Sequence, residues 1–137
     1  MKQECESMIK EQYVSFEVAK LLKDKGFKEE THGNYYLGGK FDGEFEESSK
    51  VNWNKFFKTP IAAPTQQMAM RWLREVHNIH ISITFGWVSG YNAQVDWAEE
   101  SEKGNDKPAC CVWRTDLNTT YEAAVEEAIK YSLKNLI

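Results

Sequence analysis

His77 and His80 stand three residues apart, with His32 far upstream. On one helix that spacing would put two imidazoles on a common face, as a metal site requires. Here it straddles the end of a helical pattern and the start of an alternating one, and no cysteine or carboxylate completes a ligand set. His77 therefore reads as a helix-terminal residue favoured by the dipole, and His80 as a solvent-facing one. The cysteines are Cys5, Cys110 and Cys111. A nucleophilic thiol needs a helix N-terminus or a cation to lower its pKa, and a mid-strand cysteine has neither by default. Neighbours on a strand point to opposite faces, so Cys110 and Cys111 can share neither a zinc ion nor a disulfide. They read as small packing residues, reduced as in a cytosol.

Five acids (Asp96, Glu99, Glu100, Glu102, Asp106) and two lysines fall between Asp96 and Lys107, giving that stretch a net charge of 2 − 5 = −3. Paired carboxylates can serve a hydrolase, and an acidic surface can mimic nucleic-acid phosphates, but a solvated connection explains the run with less. Gly38-Gly39-Lys40 lacks the Gly-x4-Gly-Lys spacing of a phosphate loop. Gly86-Trp87-Val88-Ser89-Gly90 is not the Gly-x-Ser-x-Gly of a nucleophile elbow. Asn118-Thr119-Thr120 matches a glycosylation sequon, which carries no meaning in a bacterial cytosol. No catalytic residue, metal ligand or cofactor is assigned, and the sequence points away from an enzyme.

The surface best placed to grip something is the polar side of two alternating runs. Ile79, Ile81, Ile83, Phe85 and Trp87 alternate with His80, Ser82 and Thr84; Tyr91, Ala93, Val95 and Trp97 alternate with Asn92, Gln94 and Asp96. This is the rhythm of strands with one dry and one wet face. His80, Ser82, Thr84, Asn92, Gln94 and Asp96 are thus a candidate binding face, although an antiparallel sheet is allowed one solvated side. Pairing Trp87 with Tyr91 keeps the apolar sets together and leaves Val88-Ser89-Gly90 as a three-residue loop with Gly90 at the left-handed position.

The fold that positions this face is α+β. Its antiparallel sheet has three core strands, about 79–88, 91–98 and 108–115, open to extension by a hairpin near 35–45. In the third strand Cys110 and Val112 share one face, Cys111 and Trp113 the other. Three helices, about 15–25, 65–77 and 120–136, cover the dry side. Ser15 is a plausible N-cap, Gly26 a left-handed terminator, and Thr119 with Glu122 has capping-box spacing. Val18, Leu21 and Leu22; Met68, Ala69, Trp72, Leu73 and Val76; and Ala124, Val125, Ala128, Ile129, Leu133 and Leu136 form the apolar stripes. Tyr35 to Phe41 resembles a hairpin turning on Gly38-Gly39. Residues 28–62 are otherwise hard to read, and Asn52 to Phe57 fits a strand or a helical turn equally. At 137 residues the chain suits a single domain, 1–137.

Three segments carry a family resemblance: Tyr13-Val14-Ser15-Phe16-Glu17-Val18-Ala19-Lys20-Leu21-Leu22, the run from Ala63 to His77, and the run from Thr120 to Tyr131. They resemble small uncharacterised proteins of phages and prophages in the Bacteroides group, and the layout is similar to the phage α-β-α sandwich domain. The resemblance implies a mobile-element origin and an α/β sandwich. It brings no activity and no site residues.

These observations support a non-enzymatic accessory protein that binds another protein, of host or phage, through an aromatic patch at Tyr35, Tyr36, Trp53 and Phe57. A nucleic-acid partner is the alternative suggested by the order α-β-β-β-α from Thr65 onward, which is that of double-stranded-RNA-binding modules. Charge opposes it: the chain carries −4 overall with a pI near 5.4, and Glu122, Glu126 and Glu127 stand where such modules place lysines. A small-molecule binder, such as a nucleotide sponge, would need a concave and partly cationic pocket. The N-terminal residues lack the apolar run of a signal peptide, and no stretch reaches the ~20 apolar residues of a membrane span. A cytoplasmic protein of a bacterial host cell is the expectation.

Overall fold

The computed structural model describes residues 10–36, 38–43, 50–86, 90–97, 110–115 and 120–137. In chain order its elements are α1 (Phe16–Asp24), β1 (Gly33–Tyr35), β2 (Phe41–Asp42), α2 (Trp53–Phe56), β3 (Ile61–Ala63), α3 (Gln66–His77), β4 (Ile79–Gly86), β5 (Gly90–Trp97), β6 (Cys110–Arg114) and α4 (Tyr121–Asn135). This is a mixed α+β architecture with two three-stranded antiparallel sheets, ordered β2-β1-β3 and β4-β5-β6.

Side-chain caps start the three long helices, two of them where the sequence predicts. Ser15 Oγ accepts from the Val18 N–H at 3.3 Å and Thr65 Oγ1 from the Met68 N–H at 3.2 Å, each satisfying an otherwise orphaned donor. At α4 the cap is Thr120, whose Oγ1 accepts from Ala123 N–H at 3.1 Å. The box expected from Thr119 and Glu122 is therefore displaced by one residue, and Thr119 itself lies outside the described residues. Helix α1 ends as expected at Gly26, φ +93°, and Phe27 folds back so that its N–H reaches Leu22 O at 2.9 Å and its ring is fully buried.

The hairpin near 35–45 forms. Tyr35 pairs with Phe41, Tyr36 N–H donates to Lys40 O at 2.9 Å, and Gly38 and Gly39 take φ of +91° and +84°. It does not extend the main sheet. β1 instead pairs on its other side with β3, which leads through Pro64 into α3, and Val14 N–H donates to Pro64 O at 3.0 Å. Those bonds tie the small sheet to the entry of α1. The aperiodic stretch after Asn52 winds as one helical turn because asparagines hold it. Asn52 Oδ1 caps Lys55 N–H at 3.2 Å, while Asn54 donates to Phe27 O at 2.8 Å and accepts from Ala62 N–H at 3.0 Å.

Helices α3 and α4 cover one face of β4-β5-β6, and α1 packs between α4 and β3. Their buried side chains join into one core: Val18, Leu22 and Phe27; Ala69, Trp72 and Leu73; Ile79, Ala93 and Val95; Val125, Ile129 and Leu133. Each fully buried aliphatic side chain contributes about 1.5–3 kcal/mol relative to exposure. Val76 is 56 % exposed in the last turn of α3, away from the stripe expected to include it.

Two expectations about register need correction. β4 and β5 pair Phe85 with Tyr91 and Gly86 with Gly90, not Trp87 with Tyr91. The slip is two residues, an even number, so the dry and wet sets stay together. The connection is 87–89, outside the described residues, and Gly90 keeps its positive φ of +83°. In β6 a bulge interrupts the alternation. Val95 faces Trp113 but Asp96 faces Cys111, leaving Val112 as the extra residue. Trp113 thereby joins the dry face and stacks on Tyr131 of α4, whereas Cys111 falls on the wet face, exposed. The two do not share a side. Phe85 belongs to the dry set yet is 61 % exposed. Tyr91 reaches Tyr121, the first residue of α4, at 6.1 Å between ring centroids, and Phe85 lies one strand further out than that.

Candidate functional site

All six residues of the expected polar face share one side of the main sheet. Across β4 and β5 they oppose one another as His80 with Asp96, Ser82 with Gln94 and Thr84 with Asn92. β6 adds Arg114 beside Gln94 and Cys111 beside Asp96. Sequence reading misses these two because it sets no register for β6, and only the bulge brings Cys111 to the same side as Arg114. The Gln94 amide donates to both Asp96 oxygens, at 2.9 and 3.2 Å, and its Oε1 accepts from Arg114 Nε at 3.0 Å. His80 Nε2 lies 2.9 Å from Asn78 Oδ1. The face is thus internally bonded along Arg114–Gln94–Asp96, while Ser82 and Thr84 are exposed.

The row His80–Asp96–Cys111 brings an imidazole, a carboxylate and a thiol onto adjacent strands. Nucleophilic catalysis needs the imidazole in the middle, taking the proton from the thiol and oriented by the carboxylate. Here the carboxylate is in the middle. At about 5 Å per ladder step the outer two are roughly 10 Å apart, beyond proton-transfer reach. Among the described residues no group of three or more His, Cys, Asp or Glu is arranged to hold a metal ion.

The four aromatic candidates fall into two groups of rings. Tyr35 packs against Phe16 and Phe41, at 5.4 and 5.3 Å, and its hydroxyl donates to Val14 O at 2.6 Å. Burial, reinforced by the Glu126 charge, raises its pKa. Tyr36 beside it is exposed. Trp53, the first residue of α2, and Phe57, just past its end, pair at 5.3 Å next to the more exposed Phe56.

Two of the depressions along α3 lie near these rings. One, of about 440 Å3, is lined by Glu11, Tyr13, Glu30, His32, Lys50 and Arg71 among others. His32 Nδ1 is buried there with no hydrogen-bond partner among the described residues. The other, of about 540 Å3, lies where the N-termini of α1, α3 and α4 converge. Glu126 sits between them, accepting from Ser15 N–H at 2.8 Å and from Gln66 Nε2 at 3.0 Å. A carboxylate at helix N-termini is favoured by the dipoles, so this arrangement already has its anion.

The sheet edges differ from one another. An edge strand exposes unpaired N–H and C=O groups, and proteins blunt such edges with brevity, charge, proline or bulges. β2 has two residues and β3 three, and β3 runs into Pro64. β6 carries the bulge and Arg114. β4 has none of these devices: eight residues in unbroken register with β5, and no Lys, Arg, Asp, Glu or Pro from Ile79 to Gly86. Among the described residues no strand pairs with its outer side.

The direction of its backbone groups follows from Ala93. Both Ala93 groups are used on the β6 side, its O accepting from Thr115 N–H at 2.9 Å and its N–H donating to Thr115 Oγ1 at 2.8 Å. Ile83, opposite Ala93, is therefore a non-hydrogen-bonded position of the β4–β5 ladder. By alternation Ile81, Ile83 and Phe85 aim their N–H and C=O outward, while Ser82 and Thr84 bond to β5.

Fold and surface together define a mixed α+β protein of two antiparallel sheets with one unguarded strand edge among the described residues. No family model, curated protein or solved structure matches the chain. Among the described residues no helix is long and apolar enough to cross a membrane.

Proposed function

We propose that this chain is a non-enzymatic accessory protein of a phage or mobile element, acting in the bacterial cytoplasm by protein–protein interaction, and that it binds by accepting a strand at the outer edge of β4. The observation that carries this reading is the contrast, among the described residues, between β4 and the other three sheet edges. A row of outward amides and carbonyls on a rigid scaffold gives main-chain affinity for an extended segment. The neutral Ser82 and Thr84 beside it put no charge in the way. The resemblance to phage proteins supports the accessory role and the setting.

The test is a comparison of captures. Tagged wild-type protein and a Ser82→Lys/Thr84→Lys variant, both on the exposed face, are used as bait in host lysate supplemented with the untagged chain. The reading expects a specific protein retained by the wild type and lost by the variant. Identical captures, or no specific capture by either, would overturn it.

A second reading, small-molecule binding, is favoured by the depression at His32. It combines Lys50 and Arg71 with Glu11 and Glu30, an aromatic ring, and a buried nitrogen that has no hydrogen-bond partner among the described residues. Native mass spectrometry of the purified protein tests it: a retained metabolite displaced by Arg71→Ala supports it, and an unliganded mass speaks against it.

A further inference from the structure

We infer that the strand accepted by β4 is the β4 of a second copy of this chain, paired antiparallel about a two-fold axis at Ser82. The inference rests on the strand-addition reading and adds the identity of the partner.

Three features favour a second copy over a foreign segment. Strand-addition sites for peptides take their specificity from pockets that receive alternate side chains. The depressions at His32 and at Glu126 are lined by no residue of β4. An edge that neither depression serves gains no side-chain selection from them, whereas a two-fold pairing repeats every contact and needs only self-complementarity. β4 has that property. Its outward groups belong to the odd residues, and an axis at Ser82 sets Ile81 against Ile83 of the other copy and Phe85 against Ile79. The apolar sides and the polar sides of the two sheets then run on without a break. Charge is the second feature. Each chain carries −4 overall, so two copies repel at long range, but β4 brings no Lys, Arg, Asp or Glu to the contact. The third is Phe85, 61 % exposed at the outermost strand of the dry face. In the paired arrangement a second sheet extends past it, so that Phe85 stands at an internal seam, opposite backbone position 79 of the other copy, and no longer at the border of the sheet.

The joined sheet would run β6-β5-β4-β4-β5-β6. Two eight-residue strands meeting along their edges bury less than the ~1,200 Å2 of a standard stable interface. The pairing is therefore expected to be reversible and dependent on concentration.

Charge complementation tests it. Ser82 is exposed, so Ser82→Lys and Ser82→Glu leave the core untouched, and the axis sets residue 82 against itself. Sedimentation of the wild-type chain over a wide concentration range should show a monomer–dimer equilibrium. Each variant alone should dimerise roughly threefold to tenfold more weakly, because like charges meet. An equimolar mixture of the two should recover at least the wild-type affinity. A dimer indifferent to both substitutions, or not restored by mixing, would place the contact elsewhere and overturn the inference. Open-ended aggregates in place of a dimer would overturn it too. If the wild type stays monomeric, self-pairing fails. The strand-addition reading survives that result only if the Ile81 and Ile83 amides of the monomer exchange freely with solvent, and it falls with the inference if they are protected.

Discussion

The carboxylate of Glu126 in α4 accepts the backbone N–H of Ser15 at 2.8 Å, joining the cap of α1 to a residue 111 positions later. Its second oxygen accepts from Gln66 Nε2 at 3.0 Å, and the same amide donates to Glu122 O at 2.9 Å. One side chain thereby fixes how three helix N-termini meet, and those helices support both sheets.

Removing that carboxylate leaves the exposed Ser15 N–H to water and the Gln66 amide with Glu122 O alone. Glu126→Ala is expected to cost about 0.5–1.5 kcal/mol, the range for a typical hydrogen bond. Glu126→Gln keeps one acceptor and should cost less. Urea denaturation followed by circular dichroism measures both, and an alanine variant as stable as the wild type would show that the junction holds without the link.

His77 sets an acid-side dependence. Its ring packs edge-on against Trp72 at 4.7 Å, and its Nε2 is buried without a hydrogen-bond partner among the described residues. Burial lowers its pKa from the ordinary 6.5, opposite to the dipole-favoured protonation expected from its place at a helix end. The native state holds His77 neutral while the unfolded chain takes up a proton near 6.5, so the unfolded state binds more protons between that value and the lower native one. The contribution of His77 to stability is complete above about pH 6.5 and is lost as pH falls through that window. Thermal melts from pH 8 to 5 should show this fall in the wild type and a shallower one in His77→Gln. Equal slopes would assign the dependence to other groups.

Trp113 and Tyr131 stack at 4.4 Å with planes 4° apart, bridging β6 and α4. A double-mutant cycle to alanine should give a coupling of about 0.5–1.5 kcal/mol. Tyr131→Ala should also shift the Trp113 emission to longer wavelength. A coupling of zero would mean that the rings meet without holding the strand to the helix.

Much of this architecture was legible because local rules and tertiary demand agree. Ser15 and Thr65 read as helix starts, Gly26 as a stop and Gly38-Gly39 as a turn, each for reasons confined to a few residues. The dry and wet sides of β4 and β5 followed from alternation, and a register slip of two left them intact. Side chains acting across the chain were not legible. Asn54 binding Phe27 and Ala62 turns an ambiguous stretch into a helix, and nothing in the local pattern announces those partners. The bulge that puts Trp113 inside and Cys111 outside appears only once β6 is laid against β5. The polar face was readable for the same reason as the strands. The edge was not, because alternation says which side of a strand is wet but not which strand stands last in the sheet.

The most direct measurement is residue-resolved amide exchange across β4, made on dilute and on concentrated protein. The account expects the Ile81 and Ile83 amides to exchange rapidly in dilute solution and to gain protection on concentration, with Ser82 and Thr84 protected in both by their bonds to β5. Protection of Ile81 and Ile83 at every dilution, or rapid exchange that concentration leaves unchanged, would contradict it.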